Sequence, residues 1–405
     1  MNSDLKTISP EQTIPEDAME KGYKQPFSKE LFHVVPKQYD ASEVGIVDNG
    51  VLPIFYETLE YKGKPTRAFA YLGMPPNRKQ GELVPAVVLV HGGGGTAFLE
   101  WVELWNRAGY AAIAMDLEGH ILDQQSGEYG LTPYSGPQRQ QLFDDIHQPI
   151  KEQWFYHAVA DVILANNVLR NMDGVDASKI GVVGISWGGF ITSYVAGIDN
   201  RFAFAIPIYG SGYQDEGTGY WSEGVRANPL KQYWDSKNTL SEARMPMLWI
   251  NSDHDAHFSI HSFSKSYEAS LLNNKNTRMS IDPGMSHSHQ AGWAQQEAYL
   301  FANSIVREAP PLIEVSSCNI LAGKLNVTIE EHRPLRSAVV RYRTRSDIQQ
   351  DQGEDATPVW HELEVTSKLK DGNLVLDVPV DAAALYINFI DEGKSITSTP
   401  LMKVE

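Results

Sequence analysis

A serine stands between two glycines in the segment Gly184-Ile185-Ser186-Trp187-Gly188, where an apolar run ends and a helix-like segment begins. This G-x-S-x-G pattern, placed between a strand and a helix, is typical of a sharp turn that projects the serine hydroxyl above the strand ends. Glycines on both sides relieve crowding at such a strained turn. The pattern predicts that Ser186 is a nucleophile, and the alternative interpretation is a packing turn without chemistry.

A serine nucleophile needs a histidine base and an orienting carboxylate, which in this arrangement follow the serine in the order Asp, His. Asp253 and Asp255 come just after the apolar run MLWI, and His287 and His289 come just after RMSID. We predict Asp255 as the acid and His287 as the base. Asp253 remains the alternative acid, or a brace for its loop, and His289 is interpreted as a residue on the substrate side.

Four consecutive glycines follow another apolar run in LVHGGGGTAFLEW. Acyl transfer generates an oxyanion that two fixed N–H donors stabilise, one from the residue after the nucleophile and one from an earlier loop. We therefore predict the backbone N–H groups of Trp187 and Gly93 as the oxyanion hole, with Gly94 as the neighbouring alternative. A phosphate cradle is a competing interpretation, but no Lys-Ser or Lys-Thr pair follows the glycines.

A metal site is the main competing chemistry, because imidazole and carboxylate groups are abundant near the predicted acid and base. The candidate ligands are Asp253, His254, Asp255, His257, His261, His287 and His289. A metal site does not explain the serine turn and the glycine loop, so we predict no metal and no cofactor. Cys318 is the single cysteine and lies in an alternating, strand-like segment, which indicates a structural thiol.

Buried strands separated by helices must position these residues. Apolar runs at 86–90, 111–115, 180–185, 202–209, 247–250 and 278–282 predict a mostly parallel sheet covered by helices on both faces, an α/β fold. In the segment WFYHAVADVILANNVLRN, Ala158, Val162, Ala165 and Leu169 recur at helical spacing and predict one apolar stripe. Residues 53–72 alternate around a Lys-Gly-Lys turn and predict a β-hairpin.

Three regions are predicted along the chain. Residues 1–49 are expected to form an N-terminal arm, and residues 50–309 the catalytic domain. After Pro310 and Pro311 the sequence shows short alternating stretches without a helical period, which indicates a small β-sandwich over 312–405.

Composition narrows the possible partners. The 405 residues include 34 Lys and Arg against 51 Asp and Glu, a formal net charge of −17, which argues against nucleic acid. No apolar run reaches the length of a membrane span, so no membrane interaction is predicted. The N-terminus lacks the pattern of a secretory signal, so the chain as given is predicted to be cytoplasmic, or secreted or periplasmic if a signal was removed.

Across residues 50–310 the sequence resembles the α/β-hydrolase superfamily, and specifically the dienelactone-hydrolase and acetylxylan-esterase-like group near the prolyl oligopeptidase branch. The resemblance rests on six ordered motifs: PAVVLVHGGGGTAF, GYAAIAMDLEGH, WFYHAVADVILANNVLR, KIGVVGISWGGFITSYVAGIDNRF, MPMLWINSDHDAHF and MSHSHQAGW. It implies an acid at Asp255 and a base in the last motif. Members of this kind often continue into a β-sandwich.

These observations predict a serine carboxylesterase that removes small acyl groups, with acetyl expected, from a carbohydrate or similar small ester substrate. Inserted segments 121–156 and 211–235 are rich in aromatic residues, and we predict substrate contacts from Trp154, Tyr156, Trp221 and His289. The alternatives are a serine peptidase of the prolyl oligopeptidase type and a non-catalytic carbohydrate-binding protein.

Overall fold

The computed structural model describes residues 24–122, 126–274, 276–350 and 358–404. The strands in these ranges are β1 (Gln38–Asp40), β2 (Val51–Glu57), β3 (Arg67–Gly73), β4 (Val84–Val90), β5 (Ala111–Met115), β6 (His120–Leu122), β7 (Tyr129–Leu131), β8 (Val175–Ile185), β9 (Phe204–Ile208), β10 (Leu248–Asn251), β11 (Arg278–Ile281), β12 (Glu314–Leu321), β13 (Lys324–Glu330), β14 (Leu335–Thr344), β15 (His361–Glu364), β16 (Asn373–Asp377), β17 (Ala382–Asp391), β18 (Ile396–Ser398) and β19 (Met402–Lys403). The helices are α1 (Leu99–Arg107), α2 (Trp154–Arg170), α3 (Trp187–Ala196), α4 (Ser222–Ala227), α5 (Ile260–Ser270), α6 (His289–Trp293), α7 (Gln296–Val306) and α8 (Arg345–Gln350).

A nine-stranded sheet forms the centre of the molecule, in the order β1-β2-β3-β5-β4-β8-β9-β10-β11. The six strands from β5 to β11 in this order are parallel to one another, whereas β1, β2 and β3 pair in antiparallel fashion. The six parallel strands are those predicted from the apolar runs. Residues 53–72 form the predicted hairpin, because β2 pairs with β3.

Both faces of this sheet are buried, as the continuous apolar runs predict. In β4, Val88 and Val90 pack on the face covered by α2, α3 and α5, and Val87 and Leu89 pack on the face covered by α1 and α7. Successive side chains of a strand point to opposite faces, so a strand buried on both sides needs an unbroken apolar run. The chain therefore has an α/β-hydrolase type of architecture.

Helix α2 differs from the predicted amphipathic helix with one apolar stripe. Every residue of α2 from Trp154 to Leu169 is buried, including Asp161 and Asn167. The N-terminal segment covers part of it, since Asn167 Nδ2 donates to the carbonyl oxygens of Leu31 and Val34. The prediction of one stripe is wrong because α2 is covered on all sides.

The N-terminal segment is part of the main structure in its described portion, residues 24–49. Phe27 and Leu31 pack in the main core, and β1 adds to the nine-stranded sheet beside β2. Strand β1 therefore lies before the predicted boundary at residue 50 but pairs with β2, which lies after it. The division into an arm at 1–49 and a domain from residue 50 stays a prediction. Residues 1–23 of the predicted arm lie outside the described residues.

The strands after residue 312 form two small antiparallel sheets, β12-β13-β16 and β15-β14-β17-β18, with β19 also pairing with β17. These sheets enclose their own cluster of buried side chains, including Leu325, Val340 and Phe389, which supports our proposal of a separate β-sandwich there. One short helix, α8, interrupts the strands and was not predicted, since six residues show no clear period.

Burial raises the pKa of the Cys318 thiol to about 12. Within the described ranges, no helix combines the length and apolar character needed to cross a bilayer.

Candidate active site

The turn that carries Ser186 has the strained geometry that its sequence pattern predicts. Ser186 joins β8 to α3 with φ 56° and ψ −118°, a backbone conformation that residues other than glycine rarely adopt. A Cβ on Gly184 would lie 2.1 Å from the Gly188 carbonyl oxygen, and a Cβ on Gly188 would lie 2.0 Å from that of Val90. Both glycines are therefore required by close backbone approach.

Two loops at the carboxyl ends of neighbouring strands bring a carboxylate and an imidazole to Ser186. His287, in the loop after β11, has its Nε2 atom 2.8 Å from Ser186 Oγ and its Nδ1 atom 2.6 Å from Asp255 Oδ2. Asp255 lies in the loop after β10, and its Oδ1 accepts the backbone N–H groups of His257 and Phe258. A carboxylate only accepts, so Nδ1 carries the proton and Nε2 is free to accept the serine hydroxyl.

The glycine loop lies beside this arrangement. A Cβ on Gly93 would lie 2.6 Å from the Trp187 ring, so the loop packs directly against the start of α3. Within the described ranges, the N–H groups of Gly93 and Trp187 donate to no protein acceptor. Gly94 has φ 69°, which glycine adopts without strain. The two predicted oxyanion donors are therefore both adjacent to Ser186 and available.

His289 forms a hydrogen bond with the backbone of the glycine loop. Its Nε2 atom accepts the Gly92 N–H at 2.9 Å, and its ring packs against Phe98. Burial, with smaller contributions from His91 and His287, lowers the pKa of His289 to about 4, so the ring stays neutral and remains an acceptor. His289 also lines the cleft, and a substrate contact from it remains a prediction.

A cleft of about 380 Å³ opens above Ser186, and a polar groove of about 730 Å³ continues from it. Gln141, Trp221 and His257 line both spaces. The groove is further lined by charged and aromatic residues, including Asp144, Tyr220, Glu223, Arg226 and His254. Trp221, predicted as a substrate contact, therefore stands where cleft and groove meet.

Two predicted substrate contacts are placed elsewhere. Trp154 is buried at the start of α2, where its Nε1 donates to the Leu117 carbonyl oxygen. Tyr156 is buried on the same helix and stacks on Phe27, with ring centroids 4.9 Å apart. The prediction is wrong for both residues, because their side chains are buried in the first turn of α2.

Arg139 is a cleft residue that the sequence does not reveal. Its Nε donates to Glu118 Oε1 at 2.7 Å, and its guanidinium carbon lies 3.3 Å from where a Cβ of Gly93 would be. The segment that carries it has no periodic pattern, and Gln141 and Phe143 just beyond it have positive φ. Only the folded structure places this cation beside the glycine loop.

The histidines and aspartates of the alternative metal site do not form one ligand set. Asp253 pairs with His254, Asp255 pairs with His287, and His289 is bonded to Gly92. Among the described residues, the cluster that has the spacing of a metal site is Glu314, Glu330 and His332, far along the chain. Glu314 there already pairs with Arg278.

Two family profiles match this chain, and solved structures show a partial likeness to it. The profile of the family described as acetyl xylan esterase (AXE1) matches residues 3–213, just over half of the chain, and the profile of the prolyl oligopeptidase family matches residues 144–304. Among solved structures, acetyl xylan esterase 1 from Thermoanaerobacterium sp. is 17% identical, with a TM-score of 0.49 over 73% of this chain and 95% of that one. The acylaminoacyl peptidase of Pyrococcus horikoshii is 16% identical, with a TM-score of 0.49 over 65% of this chain and 43% of that one.

The curated relatives are much longer than the segment that they share with this chain. The uncharacterized peptidase YuxL of Bacillus subtilis is 24% identical over 239 residues, which cover 53% of this chain and 33% of the relative. Dipeptidyl-peptidase 5 of Aspergillus oryzae is 24% identical over 157 residues, which cover 37% of this chain and 19% of the relative. The chain thus spans a third or less of these relatives. The chain belongs to the acetyl xylan esterase (AXE1) family of the α/β-hydrolase superfamily, near the prolyl oligopeptidase branch.

Proposed function

We propose that this protein is a serine carboxylesterase that removes small acyl groups, acetyl in particular, from a carbohydrate or similar polyol. The hydrogen-bonded series Ser186–His287–Asp255 carries the proposal, because it supplies a nucleophile, a base and an orienting carboxylate within one cleft. Membership in the acetyl xylan esterase family supports acetyl as the acyl group.

In the proposed mechanism His287 accepts the Ser186 proton as Oγ attacks the ester carbonyl carbon. The carbonyl oxygen becomes an oxyanion, which the N–H groups of Gly93 and Trp187 stabilise. As the intermediate collapses, the carbon–oxygen bond to the alcohol breaks, and protonated His287 gives its proton to the leaving oxygen. Water, deprotonated by His287, then attacks the acyl-enzyme and releases the acid and free Ser186.

The shape of the site supports a small acyl group and a larger polar alcohol. The cleft around Ser186 is about half the volume of the adjoining groove. In the groove, Trp221 and Tyr220 offer aromatic rings, and Glu223 and Arg226 offer hydrogen-bonding groups. Aromatic faces with nearby polar groups suit a sugar ring, whose faces are apolar and whose edge carries hydroxyls.

Peptide hydrolysis is the second candidate. The prolyl oligopeptidase profile covers residues 144–304, which include Ser186, Asp255 and His287, and the curated relatives are named as peptidases. The same three residues can cleave an amide, so the alcohol or amine that leaves must be identified by experiment.

The test measures release of p-nitrophenol from p-nitrophenyl acetate and butyrate by wild type, Ser186→Ala and Ser178→Ala, each with and without EDTA. Ser178 is a matched control, since it is exposed near the start of β8 and its hydroxyl donates to Asp176. We expect Ser186→Ala to lose activity by on the order of 10⁴-fold or more, with Ser178→Ala and EDTA without effect. Activity that survives Ser186→Ala but disappears with EDTA would overturn the proposal.

The substrate class needs a second comparison. Acetylated xylo-oligosaccharides and N-acylated aminoacyl p-nitroanilides, tested at equal concentration, separate the esterase from the peptidase. Faster release of acetate than of p-nitroaniline supports the proposed function, and the reverse order supports the peptidase.

A further inference from the structure

The carboxylate of Asp253 is buried just two residues before the proposed acid. Besides its neighbour His254, it contacts residues from distant parts of the chain. Its Oδ2 atom accepts the Tyr386 hydroxyl at 2.8 Å and lies 3.3 Å from Arg341 Nε. The Asp253 carbonyl oxygen accepts the Trp360 indole N–H at 3.2 Å. Neither the serine nor the histidine of the site is bonded to Asp253, so the proposed mechanism does not use it.

All three of these partners lie in or directly beside the sheet β15-β14-β17-β18, which we call the C-terminal sheet. Arg341 on β14 and Tyr386 on β17 stand directly opposite each other in the strand register, so both side chains reach the same carboxylate. Trp360 comes just before β15, and its ring packs edge to face on Tyr386 with centroids 5.1 Å apart. The Tyr386 hydroxyl and the Trp360 indole N–H thus donate to Asp253, and the Arg341 guanidinium lies beside its carboxylate as the opposite charge.

The same carboxylate also holds the loop that carries the base. Asp253 Oδ1 accepts the Gly284 N–H at 3.2 Å, and Gly284 lies three residues before His287. Strand β11, which leads into that loop, is held by the C-terminal sheet as well, because Asn388 Nδ2 donates to the Ile281 carbonyl oxygen and Ser398 Oγ accepts the Ile281 N–H. The acid loop and the base loop are thus fixed to one another through Asp253.

We infer that Asp253 is a positioning residue and that the C-terminal sheet sets the distance between Asp255 and His287 through Tyr386, Arg341 and Trp360. This inference rests on the proposed function, since it gives Asp255 and His287 their catalytic roles. A buried carboxylate must have its hydrogen bonds satisfied, so loss of one donor forces it to move or to admit water. Displacement of a catalytic group by about 1 Å costs on the order of 10²-fold in rate.

The test compares Tyr386→Phe and Trp360→Phe with wild type, Ser186→Ala and the control Tyr342→Phe. Tyr386→Phe removes the donor to the Asp253 carboxylate, and Trp360→Phe removes the donor to the Asp253 backbone carbonyl. Both variants keep an aromatic ring. Tyr342 is the next residue after Arg341 on β14, but its ring stacks on His361 rather than contacting Asp253. Thermal unfolding and circular dichroism establish that each variant is folded, and two donors are tested so that failure of one variant to fold does not decide the result.

We expect Tyr386→Phe and Trp360→Phe to lower kcat for p-nitrophenyl acetate by about 10- to 100-fold with KM nearly unchanged, and to shift the acid limb of the pH profile of kcat/KM. Tyr342→Phe should keep wild-type values. Folded Tyr386→Phe and Trp360→Phe with wild-type kcat and pH profile, beside an inactive Ser186→Ala, would overturn the inference and leave the proposed function standing. An active Ser186→Ala would overturn both.

Discussion

Glu297 provides a prediction in which a substitution increases stability. Its side chain is buried in the first turn of α7, and its Oε1 atom accepts the Ile396 N–H of the C-terminal sheet at 2.8 Å. Burial, opposed by that hydrogen bond and reinforced by Asp282 and Asp391, raises the pKa of Glu297 from 4.5 to about 7. The folded protein therefore binds this proton more tightly than the unfolded chain does.

The sign and size of the effect follow from linkage. Because the folded-state pKa is higher, the free energy of unfolding falls as pH rises from about 4.5 to about 7, and the loss is complete above that range. Each pKa unit corresponds to about 1.4 kcal/mol, so ionisation of Glu297 costs up to about 3 kcal/mol at pH 8. Glutamine keeps an oxygen that accepts from Ile396 and carries no charge, so Glu297→Gln should remove this cost.

Urea denaturation followed by tryptophan fluorescence at pH 5 and pH 8 measures the difference. We expect Glu297→Gln to be more stable than wild type by about 2–3 kcal/mol at pH 8 and to differ little at pH 5. Glu392→Gln is the control, since Glu392 is exposed and its charge stays hydrated. The reasoning is refuted if the stability difference between Glu297→Gln and wild type is the same at both pH values.

The remaining predictions concern Gly188 in the serine turn and His289, which bonds the glycine loop. Gly188→Ala places a Cβ against the carbonyl oxygens of Val90 and His91, so we expect kcat for p-nitrophenyl acetate to fall on the order of 10²-fold. Gly136→Ala is the control and should retain full activity, because the nearest heavy atom would be 3.8 Å from the new Cβ. Equal activity of the two variants would contradict the steric argument. His289→Phe removes the acceptor of the Gly92 N–H and should lower kcat about 10-fold, whereas His289→Gln should retain most activity. Because the pKa of His289 is about 4, its protonation should contribute nothing to the pH profile of kcat above about pH 5. Below about pH 4 the protonated ring can no longer accept the Gly92 N–H, so this hydrogen bond should break. If His289→Gln changes the pH profile above pH 5, the ring titrates there and the reasoning is wrong.

The sequence predicts the sheet well because a strand buried on both faces leaves an unbroken apolar run, as in β4 and β9. It also places Ser186, Asp255 and His287 just after strands of the parallel sheet, where such enzymes carry their catalytic groups. Their contact in space is visible only in the structure. Their catalytic roles remain proposals, tested by Ser186→Ala.

Contacts between distant segments are what the sequence does not show. Asp253 could be interpreted only as an alternative acid or a brace for its loop, because Tyr386 lies 133 residues away and no local pattern links them. Arg139 lies in a segment without periodicity, and the predicted substrate contacts Trp154 and Tyr156 are buried in the first turn of α2. Burial of a whole helix depends on neighbours from other parts of the chain, which hydrophobic periodicity does not report.

The contacts at Ile281 have a consequence for solubility. Strand β11 is the last in the order of the nine-stranded sheet, so among the described residues no further strand of that sheet pairs with its outer side. An open strand edge is a template on which another chain can add and start aggregation. Ser398 and Asn388 occupy the N–H and carbonyl groups of Ile281, and β18 lies against the strand. The C-terminal sheet therefore closes this edge, and a chain cut at residue 311 would expose it to self-association.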